Sequence, residues 1–223
     1  MIDRKRQDEL AHYCRLIHSS GWVANHDGNL SVRDDDGRFV ATPTSWSKRL
    51  VEVEDLLVVD RTGKVLRGRH RLFGEWQLHR AVYDARPDAR AVIHAHPPVS
   101  TGFALAGVTL GRPVTAELLV SLGPEIPTVP FTAPGSEELE RAVGSYAEWA
   151  DVMLLDHHGV LSLGNDLEQA FLRLELVEHY ARQVLVARQL GGERGLPEAV
   201  HAPLLAARTR AGLGPEARGQ HRD

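Results

Sequence analysis

Over the first twenty positions the apolar residues Leu10, Tyr13, Cys14 and Ile17 recur at helical intervals. They predict a helix over 3–20, capped by Asp3 and ended by Gly21 in a left-handed conformation. The period then shortens. Leu30-Ser31-Val32, Phe39-Val40-Ala41 and the run from Leu56 to Asp60 read as short strands, with Asp34-Asp35-Asp36-Gly37 as a hairpin turn. A helix is expected after Gly74, with Leu78, Ala81, Val82 and Ala85 on one face. Val92 and Ile93 lead a strand into His94, and Pro97-Pro98 is expected to end it at a loop. Val108 to Leu110, Leu118 to Leu122 and Thr128 to Phe131 read as further strands, the last an edge by its prolines. Ser136 caps a helix whose Leu139, Ala142, Val143, Tyr146 and Ala150 face inward, and it leads into a strand from Val152. Asn165 with Glu168 forms a capping pair for the longest helix, about 166–190.

Helices before, between and after hairpin-spaced strands predict a mainly antiparallel or mixed sheet covered on both faces, not a regular βαβ array. The body spans 1–190 as one domain. Residues 191–223, thin in large apolar side chains, are expected to be a tail, partly disordered or with one short helix.

The 223 residues suffice for one sizeable core, and 43% hydrophobic with 25% charged residues is an ordinary globular balance. A formal net charge of -4 gives no basic footprint for nucleic acid. No apolar run approaches the roughly 20 residues that span a bilayer. The expected partner is a small-molecule substrate. The start of the chain lacks the apolar stretch of a signal peptide and the single Cys14 cannot form an internal disulfide, so a cytoplasmic location is expected. Cys14 shares an apolar helical face with Leu10 and Ile17, which makes it a core residue and not a nucleophile.

Chemistry enters at His94-Ala95-His96. On a strand, side chains at i and i+2 share a face, so two imidazoles at a strand end can converge on one divalent ion. A third histidine is delivered by His157-His158-Gly159 after the next strongly apolar run, and Glu75 opens the helix upstream. Three histidines and a carboxylate suit zinc with room for substrate. Glu75 and His79 fall at i and i+4, yet such a Glu-His pair is also common surface decoration. Two turns, His26-Asp27-Gly28-Asn29-Leu30-Ser31 and Thr42-Pro43-Thr44-Ser45-Trp46-Ser47-Lys48, offer backbone N–H groups and hydroxyls to an anion, with Lys48 or Arg49 supplying charge. The same residue types are what turns ordinarily contain, and the sequence leaves both readings open.

Gly28-Asn29-x-Ser31, Thr42-Pro43-Thr44, Glu75 at a helix start, His94-x-His96 and His158-Gly159 occur in an order and at separations that resemble the class II aldolase and adducin head-domain family. The resemblance implies an α/β fold, a three-layer α/β/α sandwich around a mostly antiparallel central sheet. It also implies a homotetramer with active sites between subunits, and Zn2+ (Mn2+ or Co2+ as alternatives) held by His94, His96 and His158. Glu75 would be both ligand and catalytic acid/base. His158 rather than His157 is the match, because the family ligand directly precedes the glycine.

In the phosphosugar aldolases of that family the two turns hold the substrate phosphate, which maps substrate binding onto Gly28, Asn29, Thr44 and Ser45, with Gly74 in the adjoining loop. Two serines that precede the glutamate there are Phe73 and Gly74 here, so half of that phosphate pocket is missing. A family tyrosine is replaced by Glu117, and no tyrosine follows Gly191 to stand for a second. Lys48 and Glu117 are therefore further candidates for the substrate site. Family epimerases carry Asp at the Glu75 position, and adducin heads lack the histidines. The resemblance thus implies a lyase of carbohydrate metabolism, cleaving a carbon–carbon bond of a hydroxy-carbonyl (sugar or sugar-acid type) substrate by retro-aldol chemistry through a metal-stabilised enediolate. A decarboxylase or dehydratase using the same enolate is the alternative, and a non-catalytic adducin-like oligomeric module is the rival from another class.

Overall fold

The computed structural model describes residues 4–111, 113–133 and 135–219. Helix α1 (Arg4–Ser19) buries Leu10, Ala11, Cys14 and Ile17 along one stripe. It ends where Gly21 takes φ 72° and Trp22 donates its N–H to the Ile17 carbonyl, a left-handed cap that satisfies an otherwise orphaned acceptor. The expected cap, Asp3, lies outside the described residues.

Strands β1 (Asn29–Arg33) and β2 (Phe39–Ala41) form the expected hairpin, closed by Gly37 at φ 80°. Strand β3 (Leu57–Val59) pairs outward with β4 (Val65–Arg67), which the pattern of apolar residues did not reveal because its burial is slight. The remaining strands are β5 (Ala91–Ala95), β6 (Thr128–Val129), β7 (Val152–Leu155) and β8 (Gly159–Gly164). The eight make one sheet in the order β4-β3-β2-β1-β5-β8-β7-β6, antiparallel except for the edge pair β6-β7.

Helices α2 (Trp76–Ala85) and α5 (Glu137–Ala147) cover one face, packing Leu78, Val82 and Val143 against Val92, Met153 and Leu161. On the other face, α1, α3 (Pro98–Leu105), α4 (Ala116–Ser121) and α6 (Leu167–Gln189) pack Cys14, Phe103, Leu118 and Leu174 against Ile93 and Leu154. This is the three-layer sandwich with a mostly antiparallel sheet. Because both faces are covered, all five positions of β5 are buried, and strand alternation decides which core a side chain joins rather than whether it is buried.

Four local expectations are corrected. Leu118 to Leu122 is not a strand: Thr115 accepts the Leu118 N–H at 3.3 Å and caps α4, which buries Leu118 and Leu119. Short apolar runs do not distinguish the two periods, and Val108 to Leu110 forms no strand either. Pro97-Pro98 ends β5 but does not leave a loop, because Pro98 opens α3 in the first turn, where its missing N–H has no intrahelical partner to lose. The cap of α6 is Asp166, which accepts the Gln169 N–H at 2.7 Å, and not Asn165.

Finally, the chain after Gly191 includes α7 (His201–Arg210) and α8 (Gly214–Gly219), so it is more ordered than a tail with one short helix. Arg208 is buried and donates to the carbonyls of Val120 and Ser121 and to Asp151. Asp151 also pairs with Arg86 and Arg173, at the end of β7 away from the histidines.

Candidate active site

Antiparallel pairing sets the site. Asn29 at the start of β1 lies opposite His94 on β5, and His94 lies opposite Leu161 on β8. His96, one residue past β5, donates its N–H to the Trp22 carbonyl at 2.8 Å. His158 ends the β7-β8 turn, its N–H on the Leu155 carbonyl, and His157 before it takes φ 55°. That left-handed residue directs consecutive histidines to different surroundings. His158 joins His94 and His96, whereas His157 is exposed beside Asp156 and Phe131.

One nitrogen from each of His94, His96 and His158 lies within 4.8 Å of the others. The Nε2 atoms of His94 and His96 are 3.0 Å apart. His94 Nδ1 donates to the Val160 carbonyl at 3.0 Å, which leaves Nε2 as a bare lone pair, the arrangement of a ligand oriented by its outer hydrogen bond. Burial pushes the His94 pKa down to about 3 and lowers that of His96 as well, so both rings stay neutral donors. Two glycines let the backbones close up. A Cβ on Gly28 would come 2.9 Å from the His94 carbonyl, and one on Gly159 would meet His96 Cδ2 at 2.5 Å. Three imidazoles around a gap, with a carboxylate on its rim, fit a divalent cation of the zinc type.

Glu75 is that carboxylate. It precedes α2, with Oε1 at 3.0 Å from His158 Nε2 and Oε2 at 3.6 Å from His94 Nε2. Burial raises its pKa, but the neighbouring His94 and His158 and the Asn29 amide outweigh that and hold the group below the usual carboxylate range. Asn29 Nδ2 donates to Oε2 at 2.7 Å. His79 is not the surface residue its spacing suggested. It is fully buried, with Nε2 at 2.6 Å from Asn29 Oδ1 and Nδ1 at 2.7 Å from Ser31 Oγ. Two periodicities carried that signal: Glu75, His79 and Tyr83 at i, i+4 and i+8 on the helix, and Asn29 and Ser31 at i and i+2 on the strand.

The substrate-loop candidates divide. Gly28 takes φ 70° beside the histidines, and Ser45 is exposed at φ 55°. Thr44 is half-buried, its N–H on the Arg71 carbonyl. Lys48 is not available as charge for an anion. It is 1% exposed, donates Nζ to the carbonyls of His26 and Trp46 at 3.3 and 2.9 Å, and so ties the two loops together. Burial lowers its pKa. Phe73 turns into the core, its ring 4.9 Å from that of His79, while a Cβ on Gly74 would meet nothing within 4 Å. Glu117 is exposed on α4 and does not line the cleft beside Glu75 and His158. That cleft, about 190 Å³, is walled by Gln77, Val129, Phe131, Thr132, Leu139 and His157 among others.

The class II aldolase and adducin N-terminal domain model matches residues 8–185. The chain is 30% identical over 176 residues to the L-fuculose phosphate aldolase of Methanococcus maripaludis, covering 78% of this chain and 93% of that protein. It is 30% identical over 186 residues to the 3-oxo-tetronate 4-phosphate decarboxylase of Haemophilus influenzae, covering 82% and 88%. A solved L-fuculose 1-phosphate aldolase superposes with a TM-score of 0.84 at 26% identity, covering 92% of this chain and 97% of that one.

Proposed function

The chain belongs to the class II aldolase and adducin family, and from that premise we propose that it is a divalent-cation-dependent lyase that cleaves a carbon–carbon bond of a hydroxy-carbonyl substrate by retro-aldol chemistry. The observation that carries this reading is the convergence of His94, His96 and His158 with the Glu75 carboxylate 3.0 and 3.6 Å from two of the rings. We assign the three histidines and Glu75 as ligands, and zinc as the cation, with manganese or cobalt as alternatives. When bound, the cation supplies Lewis-acid stabilisation of charge developing on the substrate's oxygens. Glu75, held ionised, takes up the proton that the substrate hydroxyl loses as the carbon–carbon bond breaks and delivers it to the carbon beside the carbonyl; in the condensation direction it removes the proton from that carbon. Asn29 keeps that carboxylate aimed, and Gly28, Thr44, Ser45 and Gly74 form the rim that receives the rest of the substrate.

The same proposal includes a homotetramer with sites between subunits, in which Glu117, exposed on α4, serves a neighbouring subunit's site. It also includes a cytoplasmic location; no described helix is long and apolar enough to cross a membrane. A second reading, decarboxylation with the same Glu75 and histidines, is favoured by the absence of hydroxyls at Phe73 and Gly74 and by the decarboxylase relative.

The test is product analysis by NMR with zinc-loaded protein on L-fuculose 1-phosphate, unphosphorylated L-fuculose and 3-oxo-tetronate with and without its 4-phosphate. Aldehyde and hydroxy-ketone products support the aldolase reading, and release of carbon dioxide supports the second. Protein that binds no cation and exchanges no substrate proton would leave the non-catalytic, adducin-like module.

A further inference from the structure

Behind Glu75 runs a chain of hydrogen bonds whose donors can be assigned from the carboxylate as far as Ser31. Asn29 Nδ2 lies 2.7 Å from Glu75 Oε2 and Asn29 Oδ1 lies 2.6 Å from His79 Nε2. His79 Nδ1 is 2.7 Å from Ser31 Oγ, which is 2.8 Å from Tyr83 Oη. Tyr83 Oη in turn lies 3.0 Å from the Ser31 carbonyl. An ionised carboxylate only accepts, so Asn29 must present its NH2 to Glu75 and its oxygen to His79. His79 Nε2 therefore carries hydrogen. In a neutral ring Nδ1 is then the acceptor, and the Ser31 hydroxyl donates to it.

Neutrality follows from the surroundings. His79 is fully buried, with the rings of Phe73 and Trp76 at 4.9 and 6.2 Å, and burial pushes its pKa down to about 3. Phe73, which stands where the family resemblance places a hydroxyl, is thus a wall of the box that keeps His79 dry.

We infer that His79 is a positioning residue: by donating Nε2–H to Asn29 Oδ1 it holds the side-chain amide of Asn29 as a donor to Glu75 Oε2, while its Nδ1 accepts from the Ser31 hydroxyl. An amide turned the other way would set its oxygen against the carboxylate and push Glu75 off its line to the substrate carbon. The catalytic consequence rests on the lyase reading above, whereas the hydrogen-bond assignment does not.

15N NMR of the full-length chain with labelled histidine tests the assignment directly. Near pH 7 His79 is expected to show a protonated Nε2 and a bare Nδ1; an Nδ1–H tautomer or an imidazolium would overturn the inference whether or not the protein is a lyase. For the consequence, proton exchange of dihydroxyacetone in deuterated water is followed with zinc-loaded protein. His79→Leu is expected to lower the maximal exchange rate about 100-fold, the scale of a small misplacement of a reacting group, with KM and metal content within twofold of wild type. His79→Gln, whose amide N–H can reach the same oxygen, is expected to recover at least tenfold of that loss. Exchange by His79→Leu at the wild-type rate, or no recovery in a folded, metal-loaded His79→Gln, overturns the inference. If His79→Leu does not fold, the wild-type tautomer and the His79→Gln rate decide it. A wild-type protein without exchange activity tells against the lyase reading alone.

Discussion

Gly159 lies so close beneath His96 that a Cβ on it would sit 2.5 Å from the ring's Cδ2 and 2.6 Å from the Ala95 carbonyl oxygen. The glycine that follows His158 is therefore required by the packing of β8 under two histidines of the cluster. Gly159→Ala is expected to displace His96 and lower metal affinity at least tenfold, with about 1–3 kcal/mol of lost stability from overpacking. Metal titration and thermal unfolding measure the two effects, and unchanged affinity would show that the β5-β8 backbones have room to separate.

His94→Ala, His96→Ala and His158→Ala are each expected to reduce bound divalent metal below a tenth of the wild-type content. His157→Ala should retain it, because that ring is exposed and points toward Asp156 and Phe131. Elemental analysis of the purified variants checks this, and loss of metal in His157→Ala alone would reverse the ligand assignment.

Glu75→Gln is expected to keep most of the metal and lose at least about 100-fold in exchange at the substrate carbon, because an amide cannot accept the proton. Dihydroxyacetone in deuterated water provides the measurement. Exchange at the wild-type rate would assign the proton to another group.

The residues of the substrate loops predict weak phosphate binding, because hydroxyls are missing at Phe73 and Gly74 and Lys48 is engaged with two carbonyls. A dianion needs several donors to offset its lost hydration. Gly74→Ser, placed in open space, should improve binding of phosphorylated over unphosphorylated substrate several-fold at little cost in stability. Phe73→Ser should instead cost about 3–5 kcal/mol, since it empties part of the core beside His79. Calorimetric titration with L-fuculose 1-phosphate and L-fuculose reads the first, and denaturant unfolding the second. Tight phosphate binding by the unmodified protein would contradict the prediction.

In metal-free protein His79 and His94 are both held down to about 3 by burial, against about 6.5 in an unfolded chain. The unfolded state therefore binds protons that the folded state refuses. Stability is full above about pH 6.5 and falls as pH drops toward 3, by about 1.4 kcal/mol per pH unit for each histidine. Denaturant midpoints with chelator between about pH 7 and pH 5 should fall, and His79→Gln should remove about one proton from the slope. A flat midpoint would mean that these rings protonate in the folded state.

The sequence by itself determined the elements whose period is long or whose punctuation is unambiguous. The stripe of α1, the β1-β2 hairpin with its Asp-rich turn, α5 behind Ser136 and the strand ends that deliver His94, His96 and His158 were all legible, because local conformation sets side-chain direction at i and i+2 on a strand and i and i+4 on a helix. Order and spacing of the same residues carried the family.

What the tertiary structure alone decided lies where a residue's role depends on what packs against it. Leu118 to Ser121 is helical because Thr115 caps it and α7 covers it, which a run of apolar letters cannot express. Arg208, in the sequence part of a thin tail, is a buried partner of Asp151. Lys48 became a clasp between loops, and His79 a buried link, because sheet register sets Asn29 and Ser31 across from α2. Burial and hydrogen-bond partners come from segments 22 to 88 residues apart, and no local pattern encodes them.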